Sequence, residues 1–261
     1  MIKAKKHLAQ HFLIHSHIAQ KIVATFLKYP KYFTIEIGAG TGILTKLLLH
    51  QLSNNTFIAI DIDPESIHYL KNKFPQNQHQ FLLEDFLQSE NIDTMLSSQN
   101  VNIIGNFPYN ISSQILFKVL EHRRNVQYLV GMFQKEVAER ICASPENKNY
   151  GILSVLLQCF YHTRYLFTVH EGSFNPPPKV KSAVIALETK NVKSLPVSEN
   201  LFFEVVKTSF QQRRKTLKNS LKKWSALHSL PYSEKRPEQL TYTQFLEIVS
   251  YIEKNEKNTT E

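Results

Sequence analysis

Short apolar runs alternate with amphipathic stretches along most of this 261-residue chain, and that alternation limits the possible folds more than any other feature. Phe33–Ile37, Thr56–Asp61, Gln80–Leu83, Val101–Ile104 and Tyr128–Gln134 read as buried strands. Between them His17–Leu27, Gly42–Gln51 and Pro64–Lys73 read as helices, the last with proline in its first turn, and another helix starts after Ile111. Strands separated by helices require crossover connections, which predicts a doubly wound, mostly parallel sheet. Ser182–Glu188 reads as a late strand that, with Leu166–Val169, completes an antiparallel edge. Beyond Lys190 the pattern changes. Asn191–Glu199 is a polar linker, followed by helices over Asn200–Phe210, Arg213–Leu227 and Tyr242–Lys254, with Thr241 and Gln244 at capping-box spacing. Asn255–Glu261 is polar and expected to fray. The expected organisation is an α/β domain over residues 1–190 and a small all-α domain over 191–261.

A hydrophobic fraction of 42% is ample for a core, yet no segment nears the ~20 apolar residues of a membrane span. The basic N-terminus has no secretory apolar region behind it. Cys142 and Cys159 lack C-x-x-C spacing, so no disulfide framework is expected and a reducing cytoplasm fits. His7 and His11 have a His-x-x-x-His spacing without a second ligand pair, and no metal is expected. The net charge of +9 is unevenly placed. Met1–Lys31 holds no acid, nor does the stretch from Lys207 to Lys223 that carries Arg213, Arg214, Lys215, Lys218 and Lys222. A basic run can be just a solvated helix face; two acid-free stretches favour a phosphate backbone as partner.

Two loops carry the chemistry. Ile35–Gly42 joins the first of these strands to a helix, with glycines at 38, 40 and 42. Its G-x-G-x-G spacing is not that of the dinucleotide fingerprint, although a glycine loop after a strand could serve a dinucleotide as well. Glu36 lies in the same segment. Asp61 ends the next strand, where a carboxylate can accept ribose hydroxyls, and Asp85 ends the third, where it can accept an adenine amino proton beneath the ring of Phe86. Each acid alone could be a helix cap or loop residue; together, in order, they suit S-adenosylmethionine. The second loop is Asn106-Phe107-Pro108-Tyr109-Asn110, between a strand and a helix. An exocyclic amine is a poor nucleophile because its lone pair is delocalised into the ring. An Asn106 oxygen and a backbone carbonyl accepting its N–H bonds restore nucleophilic character, Pro108 shapes the turn, and Tyr109 stacks on the base and aims it. Ser173–Val180 holds Phe174 ahead of three prolines. That ring is either a second wall of a base clamp or part of the core.

At these residues the chain resembles the small-subunit (16S) ribosomal RNA adenine N6,N6-dimethyltransferase family, along nearly its whole length. Lys6–Leu13 is similar to the family's opening motif, which implies that His11 and Leu13 touch S-adenosylmethionine; His11 stands where Asn is usual. Glu36, Gly38 and Gly40 match the glycine loop, Asp61 replaces the more usual Glu, and Asp85 matches the adenine-binding acid. Asn106–Tyr109 matches the catalytic motif with Phe107 for Leu. Phe133–Arg140, Tyr150–Val155, Phe174–Val184 and Phe210–Leu217 resemble later family segments, the third supplying the second stacking ring. The resemblance implies a Rossmann-like S-adenosylmethionine-dependent methyltransferase domain and a basic helical one. It also implies dimethylation of two adjacent adenines in a hairpin loop near the 3′ end of small-subunit rRNA, within the assembling subunit. A monomer is expected. Competing readings are the large-subunit rRNA dimethylases of macrolide resistance, a DNA adenine methyltransferase, and a non-catalytic RNA-binding assembly or transcription factor.

Overall fold

A computed structural model describes residues 2–224 and 230–258. Its described residues form two compact units, one from residues 1–138 and 164–189, the other from residues 139–163 and 190–261.

The first unit opens with a 3-10 turn, Lys6–Leu8, and β1 (Phe12–Leu13). Helices and strands then alternate: α1 (Ser16–Phe26), β2 (Phe33–Ile37), α2 (Ile43–Leu49), β3 (Phe57–Asp61), α3 (Pro64–Lys73), β4 (Phe81–Leu83), α4 (Glu90–Ser98), β5 (Val101–Asn106), α5 (Ser112–Glu121) and β6 (Val126–Gln134). After α6 (Lys135–Cys142) and α7 (Ile152–Phe160) come β7 (Tyr161–Val169), β8 (Phe174–Asn175) and β9 (Ser182–Thr189). Seven strands form one sheet in the order β4-β3-β2-β5-β6-β9-β7, while β1 and β8 pair separately. The pairs from β4 through β6 are parallel and β6–β9 is antiparallel. The alternation expected from sequence is thus present, with its antiparallel edge. From β2 the chain proceeds outward through β3 and β4, then returns to the other side of β2 as β5. The carboxyl ends of β2 and β5 therefore flank the topological switch point, where open α/β sheets place their ligands.

Strand pleating sorts the core. Registered neighbours Glu36, Ala59, Ile104, Val130 and Ala186 share one face. Apart from Glu36, these residues pack in a cluster with Ala19, Ile22, Val23 and Phe26 of α1 and Leu44 and Leu48 of α2. Ile35, Ile58, Ile103, Leu129 and Leu187 take the opposite face and are also buried. Asp63 caps α3 as its position before Pro64 suggests, accepting a hydrogen bond from the Glu65 N–H at 3.1 Å. The short α4 has Ile92, Met95 and Leu96 at i, i+3 and i+4, and its start is marked by Ser89, whose hydroxyl caps the Ile92 N–H, followed by Glu90 and Asp93 in the first turn.

The second unit holds α7, α8 (Glu199–Gln211), α9 (Leu217–Ser220) and α10 (Tyr242–Asn258). Ring contacts join Phe160 to Phe203, Tyr150 to Phe210 and Phe210 to Phe245. Its boundary departs from a single cut at 190/191, because residues 139–163 belong with the C-terminal helices. The reason is α7: Leu153 to Leu157, Cys159 and Phe160 are all buried, and a helix buried this fully needs cover on more than one side. The helix expected over Arg213–Leu227 is also shorter. The Leu217 and Lys218 N–H groups donate to the Lys235 and Ser233 carbonyls, and the turn before α9 uses these bonds in place of a continued helix. The end of that expectation, residues 225–227, lies outside the described residues. At the C-terminus α10 continues through Asn258 where fraying was expected, and residues 259–261 are outside the described set. Among the described residues no helix is long and apolar enough to cross a membrane.

Candidate active site

A cleft opens at the switch point. Its walls are the N-terminal strap Leu8–Phe12, Gly38 and Gly40 after β2, Asp61 and Ile62 after β3, and Asn106–Tyr109 after β5. His11, Gly38, Gly40, Asp61, Asn106, Pro108 and Tyr109, separated by up to about 100 residues in sequence, are brought together there.

After β2 the main chain turns through left-handed conformations at Gly38 (φ +73°) and Gly40 (φ +51°). A Cβ at Gly40 would lie 3.0 Å from the Phe12 ring, so the glycine admits the strap close to the main chain. Asp61 stabilises this loop: Oδ2 accepts the Gly40 N–H at 2.8 Å and Oδ1 the Asp63 N–H at 2.9 Å. Burial raises the Asp61 pKa, the two N–H groups oppose that, and the neighbouring Asp63 charge adds to it. Glu36 does not line the cleft. It faces the apolar cluster with 1% of its surface exposed and its Oε2 unpartnered. Burial pushes its carboxyl to about 8, against the lowering effect of the Thr45 hydroxyl and N–H, so it is neutral at pH 7.

The strap is tied down beside this loop. Lys5 Nζ lies 2.7 Å from Asp63 Oδ1 and 3.0 Å from Glu65, and Gln10 Nε2 donates to Asp63 Oδ2 at 3.1 Å. Burial alone would raise Asp63, but the N–H groups of Lys5, Gln10 and Glu65 hold its carboxyl below the usual range. Leu13 lies past the strap, buried and paired with Phe174 in the β1–β8 ladder. Phe174 is 3% exposed and its ring belongs to the core cluster, so neither residue lines the cleft. Asp85 and Phe86 are also outside its lining: Asp85 Oδ1 accepts the Leu87 N–H at 2.9 Å, and Phe86 is buried.

The loop after β5 is held by packing. Gly105 and Gly131 are registered neighbours on β5 and β6, and Cβ atoms there would come to 2.7 and 2.0 Å of the Phe107 ring. The two glycines form a slot, the ring fills it, and Phe107 is 1% exposed. Anchored this way, the loop presents Asn106 and Tyr109. Asn106 Nδ2 donates to the His11 carbonyl at 2.9 Å, which fixes the amide orientation and leaves Oδ1 as a free acceptor. Tyr109 shares a 2.5 Å hydrogen bond with the buried Ser182 hydroxyl at the start of β9. Burial raises the Tyr109 phenol, with the Ser182 contact opposing it. The His11 imidazole stacks on Tyr109 at 5.5 Å between centroids, and its Nδ1–H donates to the Pro176 carbonyl at 2.8 Å.

Sequence alone does not pick out Ser182, Gly131 or the Lys5–Asp63 tie, because their partners are distant along the chain. Ile62 had a signal: an apolar residue between two aspartates at a strand end, 50% exposed on the cleft wall.

The chain matches the family described as ribosomal RNA adenine dimethylase over residues 1–254. It belongs to that family. It is 51% identical to the ribosomal RNA small subunit methyltransferase A of Flavobacterium johnsoniae over 97% of each chain. With the protein of the same name from Cytophaga hutchinsonii it shares 50% identity, over 96% of this chain and 98% of the other. Among solved structures it resembles a dimethyladenosine transferase from Plasmodium falciparum (TM-score 0.78, 27% identity, 94% and 98% coverage). In fold it resembles the 23S rRNA methyltransferase ErmE (TM-score 0.67, 21% identity, 92% and 99% coverage). This ribosomal RNA adenine dimethylase is thus an enzyme with an α/β methyltransferase fold, a helical C-terminal part and S-adenosylmethionine as cofactor. The residues present fit that group: positive-φ glycines bare one wall, Asp61 keeps lone pairs for ribose hydroxyls, and Ile62 offers an apolar face.

Proposed function

We propose that this dimethylase acts on two adjacent adenines in a hairpin loop near the 3′ end of small-subunit rRNA, methylating each N6 twice, as a cytoplasmic monomer working on the assembling subunit. The observation that carries the chemistry is the fixed amide of Asn106, with its Nδ2 committed to the His11 carbonyl and its Oδ1 free. The substrate choice draws on relatives at about half identity over nearly the full chain that are named for the small subunit. Unpaired loop adenines are the ones a protein extracts most cheaply.

S-adenosylmethionine supplies the methyl group on an electrophilic sulfonium. Gly38, Gly40 and the strap residue His11 enclose its methionine end, Leu13 anchors the strap through its pairing with Phe174, and Glu36 lies beneath the loop. Asp61 takes the ribose, Ile62 and Asp85 take the adenine, and Phe86 anchors the turn that carries Asp85. In the first transfer the target amine would donate its two N–H groups to Asn106 Oδ1 and to the Pro108 carbonyl, turning its lone pair towards the methyl group. In the second its one remaining N–H would keep a single one of these bonds, and after each transfer the alkylated nitrogen would release its proton to solvent. Tyr109 supports the base by stacking, held by Ser182. Entry of the base displaces the His11 ring from Tyr109. Phe174, bound to the strap through Leu13, then moves to form the second stacking wall.

The test uses labelled cofactor, undermethylated small subunits and mapping of the modified bases by mass spectrometry. Two neighbouring N6,N6-dimethyladenines are expected. Asn106→Ala should lower turnover by on the order of 10²–10³ while subunit binding survives. Label in large-subunit RNA, or normal turnover in the variant, would overturn the reading.

A further inference from the structure

Lys118 is a lysine in the wrong place for solvent. It lies on the buried face of α5, with 7% of its side chain exposed, among Ile115, Leu116 and Val119. Methionine or leucine would fill such a position without the cost of desolvating an ammonium. The partners of that ammonium all come from one short stretch. Asp93 Oδ1 lies 2.7 Å from Nζ, the Leu87 carbonyl accepts at 3.3 Å, and the Phe86 ring centroid is 5.4 Å away. Asp93 is itself shared with His122 Nε2 at 3.2 Å.

Leu87 has a second tie. Its N–H donates to Asp85 Oδ1, and the Gln88 and Ser89 N–H groups donate to the Asp85 carbonyl. Lys118 therefore holds the carbonyl of a residue whose own N–H sets the Asp85 side chain, leaving Oδ2 to meet a ligand. Phe86, between them, is fixed under the same cation.

We propose that Lys118 is a positioning residue for cofactor binding: through Leu87 and Phe86 its ammonium presets the Asp85 carboxylate to receive the adenine amino group. This rests on the reading of Asp85 as the adenine acceptor. Because α5 also follows directly from the Asn106–Tyr109 loop, the adenine turn is referenced to the same helix as the reacting amine.

The test is Lys118→Met, close in volume and uncharged, with Lys118→Arg and Asp85→Ala beside it. Calorimetry measures binding of S-adenosylmethionine and S-adenosylhomocysteine, and methylation kinetics follow at saturating cofactor. Lys118→Met should raise both dissociation constants about 10-fold while kcat at saturating cofactor and the RNA KM stay within two-fold; Lys118→Arg should recover most of the affinity. In an Asp85→Ala background, Lys118→Met should add little. If Asp85→Ala leaves cofactor affinity intact, the adenine assignment itself is wrong. If Asp85→Ala weakens binding and Lys118→Met does not, the assignment stands and the positioning role is overturned. Should Lys118→Met fold poorly, Asp93→Asn, on a half-exposed carboxylate, must show a several-fold affinity loss, and unchanged affinity there would also overturn it.

Discussion

The loops after β2 and β5 face one cleft and are built in opposite ways. After β2 the ligand wall is bare main chain, Gly38 and Gly40 at positive φ, steadied from behind by Asp61. After β5 the main chain is set by side chains: the Phe107 ring fills the Gly105–Gly131 slot and the Tyr109 hydroxyl is tied to Ser182. The difference follows from what each must hold. A cofactor with many contacts tolerates small adjustments in any one of them. A reacting amine does not, since a misplacement of roughly 1 Å can cost about 10²-fold in rate.

The largest expected effect breaks the second loop alone. In Gly131→Ala the new Cβ would sit 2.0 Å from the Phe107 ring, so the ring must leave its slot. Overpacking of this kind costs about 1–3 kcal/mol in stability. The larger loss is kinetic, since the displaced ring moves Asn106 and Tyr109: methyl transfer should fall by about 10² or more, with cofactor affinity kept within a few-fold. Adding Phe107→Leu should recover part of both losses, and a double-mutant cycle measures the coupling. Strict additivity in that cycle would show that the slot does not position the loop.

How much of this was open to reading beforehand depended on distance along the chain. The parallel strands and α1–α3 were legible because two- and 3.6-residue periodicities are local. The cleft residues Gly38, Asp61, Asn106 and Tyr109 were legible because strand ends in such sheets converge by topology. The Phe107 slot was not: a glycine in β6 says nothing of the ring 24 positions earlier until the β5–β6 register is known. Nor was the closed setting of Phe174, because its motif specifies a ring and a proline loop while its burial depends on pairing with Leu13. The partners of Arg213 were hidden for a related reason. Arg213 donates to the Lys148 carbonyl and lies near Glu238, contacts invisible to a helical-face argument.

A smaller effect tests the first loop. Glu36 ionises near 4.5 in an unfolded chain and near 8 when folded, so the folded state retains a proton that the unfolded state has released. Stability from this group is greatest below pH 4.5 and declines as pH rises to about 8. Glu36→Gln does not titrate. The variant should match the parent at acidic pH and exceed it by up to a few kcal/mol at pH 9, read from urea unfolding at each pH. Parallel pH curves for the two chains would mean that the Glu36 carboxyl is ionised in the fold.

The smallest effect separates packing from hydrogen bonding within the β5 loop. Tyr109→Phe keeps the stacking ring and removes only the bond to Ser182, which loses its partner in a buried position. A hydrogen bond of this type is worth about 1 kcal/mol, so turnover should fall about five-fold, with RNA KM nearly unchanged. Tyr109→Ala removes the ring as well, and stacking is worth roughly 1–3 kcal/mol per base, so its loss should fall on both kcat and KM. If Phe and Ala variants were equally impaired, the Ser182 bond would outweigh the ring, and the β5 loop would be held by polar contacts after all. Equal activity of the Phe variant and the parent would instead place the whole burden of rigidity on Phe107 and its two glycines.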